Sequence, residues 1–151
     1  MTELDASDRT MVLERVINAP VATVWAAWWN PETLPRWWGP DGFSCRTHRI
    51  DLRQGGDWVF DMIGPDGTVY PNHHRYTHAL PLAEIDYTLL WGENGPKHAD
   101  ATVRFTDLGG RTKVTLSMIF LNPAEYQQAK SFGAIELGQQ TLAKLAAFVG
   151  A

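Results

Sequence analysis

The chain has one cysteine, Cys45, among its 151 residues. That excludes an internal disulfide and a thiol-rich metal site. Lys and Arg never cluster and the formal net charge is −4, so the electrostatic footprint of a nucleic-acid partner is missing. No stretch approaches the roughly 20 apolar residues of a membrane span, and no membrane partner is expected. Residues 1–10 carry Glu3, Asp5 and Asp8 and no apolar run; no signal peptide is expected there, and the expected location is cytoplasmic. A phosphate loop and a dinucleotide fingerprint are both absent. The four serines, Ser7, Ser44, Ser117 and Ser131, lie outside any Gly-x-Ser-x-Gly elbow. His74 and His78 would stand about 13 Å apart on an extended strand, while His73 and His74 point to opposite faces. With no chelating spacing, neither a metal ion nor another cofactor is expected.

Against these absences stand 7 tryptophans in a chain otherwise of ordinary composition, 44% hydrophobic and 20% charged. The length suits one domain with a sizeable core. Residues 1–9 read as a flexible polar leader and residues 10–151 as the domain. Thr10 to Asn18 reads as a β-strand, and Ala19-Pro20 breaks it. Val21, Val24, Trp25 and Trp28 recur at helical spacing, and a second short helix spans Pro31 to Trp38. From Phe43 onward the pattern changes to strands separated by turn signals, among them Gly55-Gly56, Pro65-Asp66-Gly67, Asn94-Gly95-Pro96 and Gly109-Gly110. Six consecutive strands joined by short turns form an antiparallel meander.

Pro123 suits the start of a helix and Gly150 its end. Helical throughout, the segment would measure about 40 Å. At about 100° per residue, Phe132, Ile135, Gly138, Gln139, Leu142, Leu145 and Ala146 share its inner face. From Leu142 onward that face is apolar; before it, small and polar groups alternate with Phe132 and Ile135, which suggests a cavity beneath. A frayed, solvated first half is the alternative. The expected fold is α+β: a curved, seven-stranded antiparallel sheet gripping the C-terminal helix, with the two Trp-bearing helices closing one end.

Ala19-Pro20 with Val24-Trp25, Pro31-Glu32, Arg36-Trp37-Trp38-Gly39-Pro40, Asp51-Leu52-Arg53 before Gly55-Gly56, Gly64-Pro65-Asp66-Gly67 and Tyr70-Pro71-Asn72 together carry a resemblance. They resemble the family named after the activator of the heat-shock protein 90 ATPase. The similarity is to its bacterial stand-alone branch, within the SRPBCC superfamily of START and birch-pollen-allergen-like helix-grip domains. It runs from Met11 to Val149, with Gln54 and the stretch His78 to Ile85 departing from the usual pattern. The resemblance implies the helix-grip fold. It carries function poorly, because one fold hosts many jobs. Co-chaperone activity is not expected to follow from it, since these 151 residues leave no room for the client-gripping N-terminal domain of the eukaryotic co-chaperone.

Asn72, His74, Tyr76 and His78 fall at period two on the fourth strand, so they share a face. One register makes them a polar wall inside a pocket; a slip of one residue would turn His73, Arg75 and Thr77 inward instead. The aromatic remainder of that pocket is expected from Trp37, Trp38, Phe43, Trp58, Phe60, Met62, Tyr87 and Trp91. Of the adjacent pair, one tryptophan should pack inward and the other lie near the mouth. Cys45, in a strand, reads as a buried inert thiol. No catalytic residue is assigned. The preferred function is binding of a small hydrophobic or aromatic molecule between sheet and helix. The alternatives are a polyketide cyclase or aromatase, with His74, Tyr76, His78 or Glu136 moving protons, and a chaperone-associated domain using exposed aromatics around Trp38. A homodimer is compatible with either.

Overall fold

The computed structural model of the protein describes residues 7–150. The first six residues of the expected leader therefore lie outside the described residues. Its last three form a 3-10 turn, Ser7–Arg9, and the Arg9 guanidinium donates to the carbonyls of Phe120 and Leu121 at 2.9 Å. Arg9 thereby ties that turn to the backbone at residues 120 and 121.

Strand β1 (Thr10–Ile17) leads through Pro20, which has no amide hydrogen to donate, into α1 (Val21–Trp28) and α2 (Leu34–Trp37). The Thr33 hydroxyl and the Trp37 indole both donate to the carbonyl of Ala27, at 2.8 and 3.0 Å, and lock the two short helices together. Then come β2 (Ser44–Ile50), β3 (Asp57–Ile63), β4 (Val69–Leu80), β5 (Glu84–Leu90), β6 (Lys97–Asp107) and β7 (Thr112–Phe120). All neighbours pair antiparallel in the order β1-β7-β6-β5-β4-β3-β2. The meander is closed on one side by β1, whose Thr10 pairs with Ile119 and Ile17 with Thr112.

Alternation aims one face of each strand at a shared core. Leu13 and Ile17, Trp58 and Phe60, Ile85 and Tyr87, Val103 and Phe105, and Val114 and Leu116 are all buried there. Against that face lie α1 and α2, with Trp28 edge-on to Trp37 at 4.9 Å and to Phe105 at 5.8 Å. The C-terminal segment supplies the roof.

That roof is two helices, not one. Asn122 caps α3 (Pro123–Ser131) by accepting from the Glu125 amide at 2.8 Å, a favourable use of an otherwise orphaned donor. Gly133 then takes a left-handed conformation, φ +83°, and α4 (Ala134–Phe148) begins. Glycine adopts that conformation with no Cβ penalty and stops α3 there. α4 buries Thr141, Leu142, Leu145 and Ala146, whereas α3 buries no residue. No helix among the described residues is long and apolar enough to cross a membrane.

Candidate functional site

Between the concave face of the sheet and the roof lies a chamber of about 230 Å³. Its floor is Met11, Leu13, Leu116 and Met118 from β1 and β7, with Tyr87 and Leu89 from β5. Its roof is Ala129 of α3 with Ala134, Leu137, Gly138 and Thr141 of α4, at spacings that repeat one helical face. One wall is the Trp38-Gly39-Pro40 turn. Two anchors hold that turn under α4: the Asp41 amide donates to the Gln140 side chain at 3.1 Å, and Lys144 Nζ donates to the carbonyls of Pro40 and Phe43. The chamber shares Leu137 and His98 with an adjoining vestibule of about 540 Å³ lined by Phe43, Tyr70, Trp91 and Phe132. A side recess reaches Glu125 and Gln128 of α3.

No Asp, Glu, Lys or Arg lines the inner chamber among the described residues. Its polar side chains are Asn72, His74, Tyr87, His98 and Thr141, together with the indole of Trp38. Thr141 satisfies its hydroxyl on the Leu137 carbonyl at 3.2 Å, and Asn72 Nδ2 donates to the Tyr70 carbonyl at 2.9 Å. His74 is only 3% exposed. Its ring stacks on Tyr87 at 4.3 Å and meets Trp38 edge-on at 5.3 Å. Burial, with His73 next to it, pushes the His74 pKa down to about 3, so the ring is neutral at ordinary pH. Burial likewise lowers His98, against an opposing pull from Glu125, and raises Tyr87. The result is a neutral, largely apolar cavity.

The expected site residues divide into groups. Trp38, Met62, Asn72, His74, Tyr87 and Gly138 border the inner chamber. Phe43, Trp91 and Phe132 stand at the vestibule. Trp37, Trp58 and Tyr76 are instead packed in the core away from the cavity: the Trp37 indole is bonded to Ala27, the Trp58 indole donates to the Thr47 hydroxyl at 3.0 Å, and Tyr76 lies edge-on to Trp29 at 5.0 Å. Phe60 is buried in face-to-face stacking on Trp58 at 3.6 Å. Ile135 and Gln139 border neither chamber nor vestibule, because the face of α4 turned to the cavity runs through Ala134, Leu137 and Thr141. Phe132, expected under the helix, is 74% exposed at the break before Gly133.

His78 departs from the expected face altogether. Tyr76 pairs with Tyr87 and His78 with Asp86, so Thr77 is an extra residue, a β-bulge. The bulge turns His78 outward, where Nδ1 lies 3.2 Å from Asp86 and 3.9 Å from Glu84. These three residues bring one ligand atom each within 4.8 Å of one another, a juxtaposition that strand spacing alone did not suggest. Glu84 there is already paired with Arg104 at 3.1 Å. His73, on the outer face, is nonetheless buried: Nε2 meets Asp57 at 3.0 Å and Nδ1 accepts from the Asn94 amide. Both its nitrogens are committed to structure. Cys45 donates to the Trp38 carbonyl, and burial pushes its thiol up to about 12, leaving it without thiolate character.

The sequence reading missed His98 and Leu137, which border chamber, vestibule and recess alike. His98 is the second residue of β6, at a register shift where Leu89 pairs with Ala99 and Leu90 with Lys97. It stands outside the run of alternating apolar residues, so only the tertiary fold brings it to the cavity.

A curved antiparallel meander of seven strands, gripping a C-terminal helix across an apolar chamber, defines a helix-grip protein. The family model for Activator of Hsp90 ATPase homolog 1-like protein matches residues 18–150. The chain belongs to that family. A solution structure of a protein from Arthrobacter aurescens is similar at 26% identity and TM-score 0.84, over 96% of this chain and 88% of that one. Crystal structures from Mycobacterium smegmatis (24% identity, TM-score 0.85, 96% and 93% covered) and Nitrosomonas europaea (23%, 0.82, 95% of both chains) share the fold. No curated protein matches the chain.

Proposed function

We propose that this chain binds a small apolar or aromatic molecule in the chamber between its sheet and its C-terminal helices. One observation carries the reading: a chamber of about 230 Å³, walled by Trp38, Met62, Leu116, Met118 and Phe120, with no charged side chain in its lining among the described residues. An apolar cavity of about 150 Å³ takes up benzene, so this one has room for more than one ring. Few polar groups amid apolar walls is the usual make-up of a small-molecule site.

Trp38 lines the chamber and Trp91 the vestibule, so an aromatic ligand is expected to quench tryptophan emission. Binding also stabilises: at a hundred times Kd the gain is about 2.7 kcal/mol, which a thermal melt reads as a raised Tm. The measurement is a fluorescence and melting screen against a diverse set of fused-ring and alkyl compounds. If no compound moves either signal, the binding function is wrong.

A further inference from the structure

We propose, resting on the binding reading above, that the molecule held in the chamber is uncharged and carries a hydrogen-bond acceptor, a carbonyl or ether oxygen, that takes the Nε2–H of His98. Three observations lead there. The first is the lining. With no Asp, Glu, Lys or Arg on the inner chamber among the described residues, a charged ligand would lose its water and gain no ion partner, a heavy penalty.

The second is position. His98 borders the inner chamber, the vestibule and the side recess at once. Its ring is held between Trp91 at 4.2 Å and Phe120 at 5.1 Å. His98 is thus common to the linings of all three spaces.

The third is the state of its two nitrogens. Nδ1 is enclosed with no hydrogen-bond partner. An enclosed N–H without an acceptor is rarer and costlier than an enclosed lone pair without a donor. The lone pair therefore sits on Nδ1 and the proton on Nε2. Nε2 makes no hydrogen bond to any described residue and is not enclosed as Nδ1 is. A donor without an internal acceptor, at the crossing point of an apolar cavity, selects for a ligand oxygen.

The test uses three bicyclic probes of near-equal shape: acetylnaphthalene, isopropenylnaphthalene and naphthoate, titrated by tryptophan quenching. The ketone is expected to bind the wild-type chain about tenfold more tightly than the alkene, the worth of one enclosed hydrogen bond. Naphthoate is expected to bind more weakly than either. In His98→Phe the ketone–alkene gap should close, and in His98→Gln, which keeps a side-chain N–H, part of it should persist. Because the gap is first read in the wild-type chain, a variant that failed to fold would not block the test. Equal binding of ketone and alkene would overturn the His98 anchor while leaving the binding function intact. Naphthoate binding tightest would overturn the preference for an uncharged molecule. Silence from all three probes would overturn anchor and binding function together.

Discussion

At the scale of single residues, Gly138 and His74 show most plainly what the cavity costs and what it requires. Glycine inside a helix sacrifices about 1 kcal/mol of propensity relative to alanine. A Cβ on Gly138 would run into the δ-methyl of Leu13, which rises from β1. The neighbour is thus a strand side chain that itself lines the chamber, neither a strand backbone nor empty space alone. Gly138→Leu is expected to lower stability by about 1–3 kcal/mol through overpacking and to weaken ligand binding as well. Melting temperature and affinity measured together check this, and a variant unchanged in both would contradict it. His74 makes an acid prediction. Unfolded, it takes up a proton near its ordinary pKa of 6.5; folded, it stays neutral down to about 3. The folded state therefore binds fewer protons across that window, and stability, full above it, falls with pH at about 1.4 kcal/mol per unit. Asp57 and Asp61, held low by Arg49 and Arg46, add losses of the same sign at lower pH. His74→Phe should flatten the slope by about one proton between pH 6 and 4, as read by urea unfolding across that range. An unchanged slope would show that His74 is not what loses stability in mild acid.

At the scale of elements, the legible features were those written as periodicity, and the illegible ones were single-residue exceptions to it. Alternation along β4 put Asn72, His74 and Tyr76 on one shared face and left open which face looks inward; in the structure theirs is the buried, concave one. It could not show the Thr77 bulge, because an extra residue leaves the run of residue types in Tyr76-Thr77-His78 unchanged and alters only its pairing. The roof behaves similarly. Helical cues at Pro123 and Gly150 framed one continuous segment, whereas Gly133 inside it, with a φ of +83°, is the joint between α3 and α4. Substitution there is expected to be costly for backbone reasons alone: Gly133→Ala should destabilise by about 1–2 kcal/mol, the penalty of the left-handed region for a residue with a Cβ. Denaturant unfolding measures it. An unaltered midpoint would mean that the joint relaxes without cost.

At the scale of the whole molecule, the strand count, the meander and the covering helix were readable because each turn is marked by Gly, Pro or Asn and each strand has one apolar face to hide. The chamber's boundary was not, since His98, Leu137 and the Leu13–Gly138 contact come together only through pairings distant in sequence, such as β1 with β7. A chain ending at Leu121 tests how far the sheet depends on its roof. Without Leu142, Leu145 and Ala146 the concave apolar face lies bare, and the truncated chain is expected to bind an apolar-surface dye and melt without a cooperative transition. A sharp melt would show a self-sufficient sheet. The two-piece roof has a consequence for kinetics. α4 is fastened to the core by buried residues, while α3 buries none. It rests on the core through partly buried Ala129 and Tyr126, the latter stacked on Phe120 at 5.4 Å, and holds Glu125 and Gln128 over the recess. The latch and the rivets belong to different segments. Substitutions at Glu125 and Gln128, which line the recess without joining the core, are therefore expected to reset how long a guest stays while the melting temperature holds still, so that residence time can evolve separately from the fold.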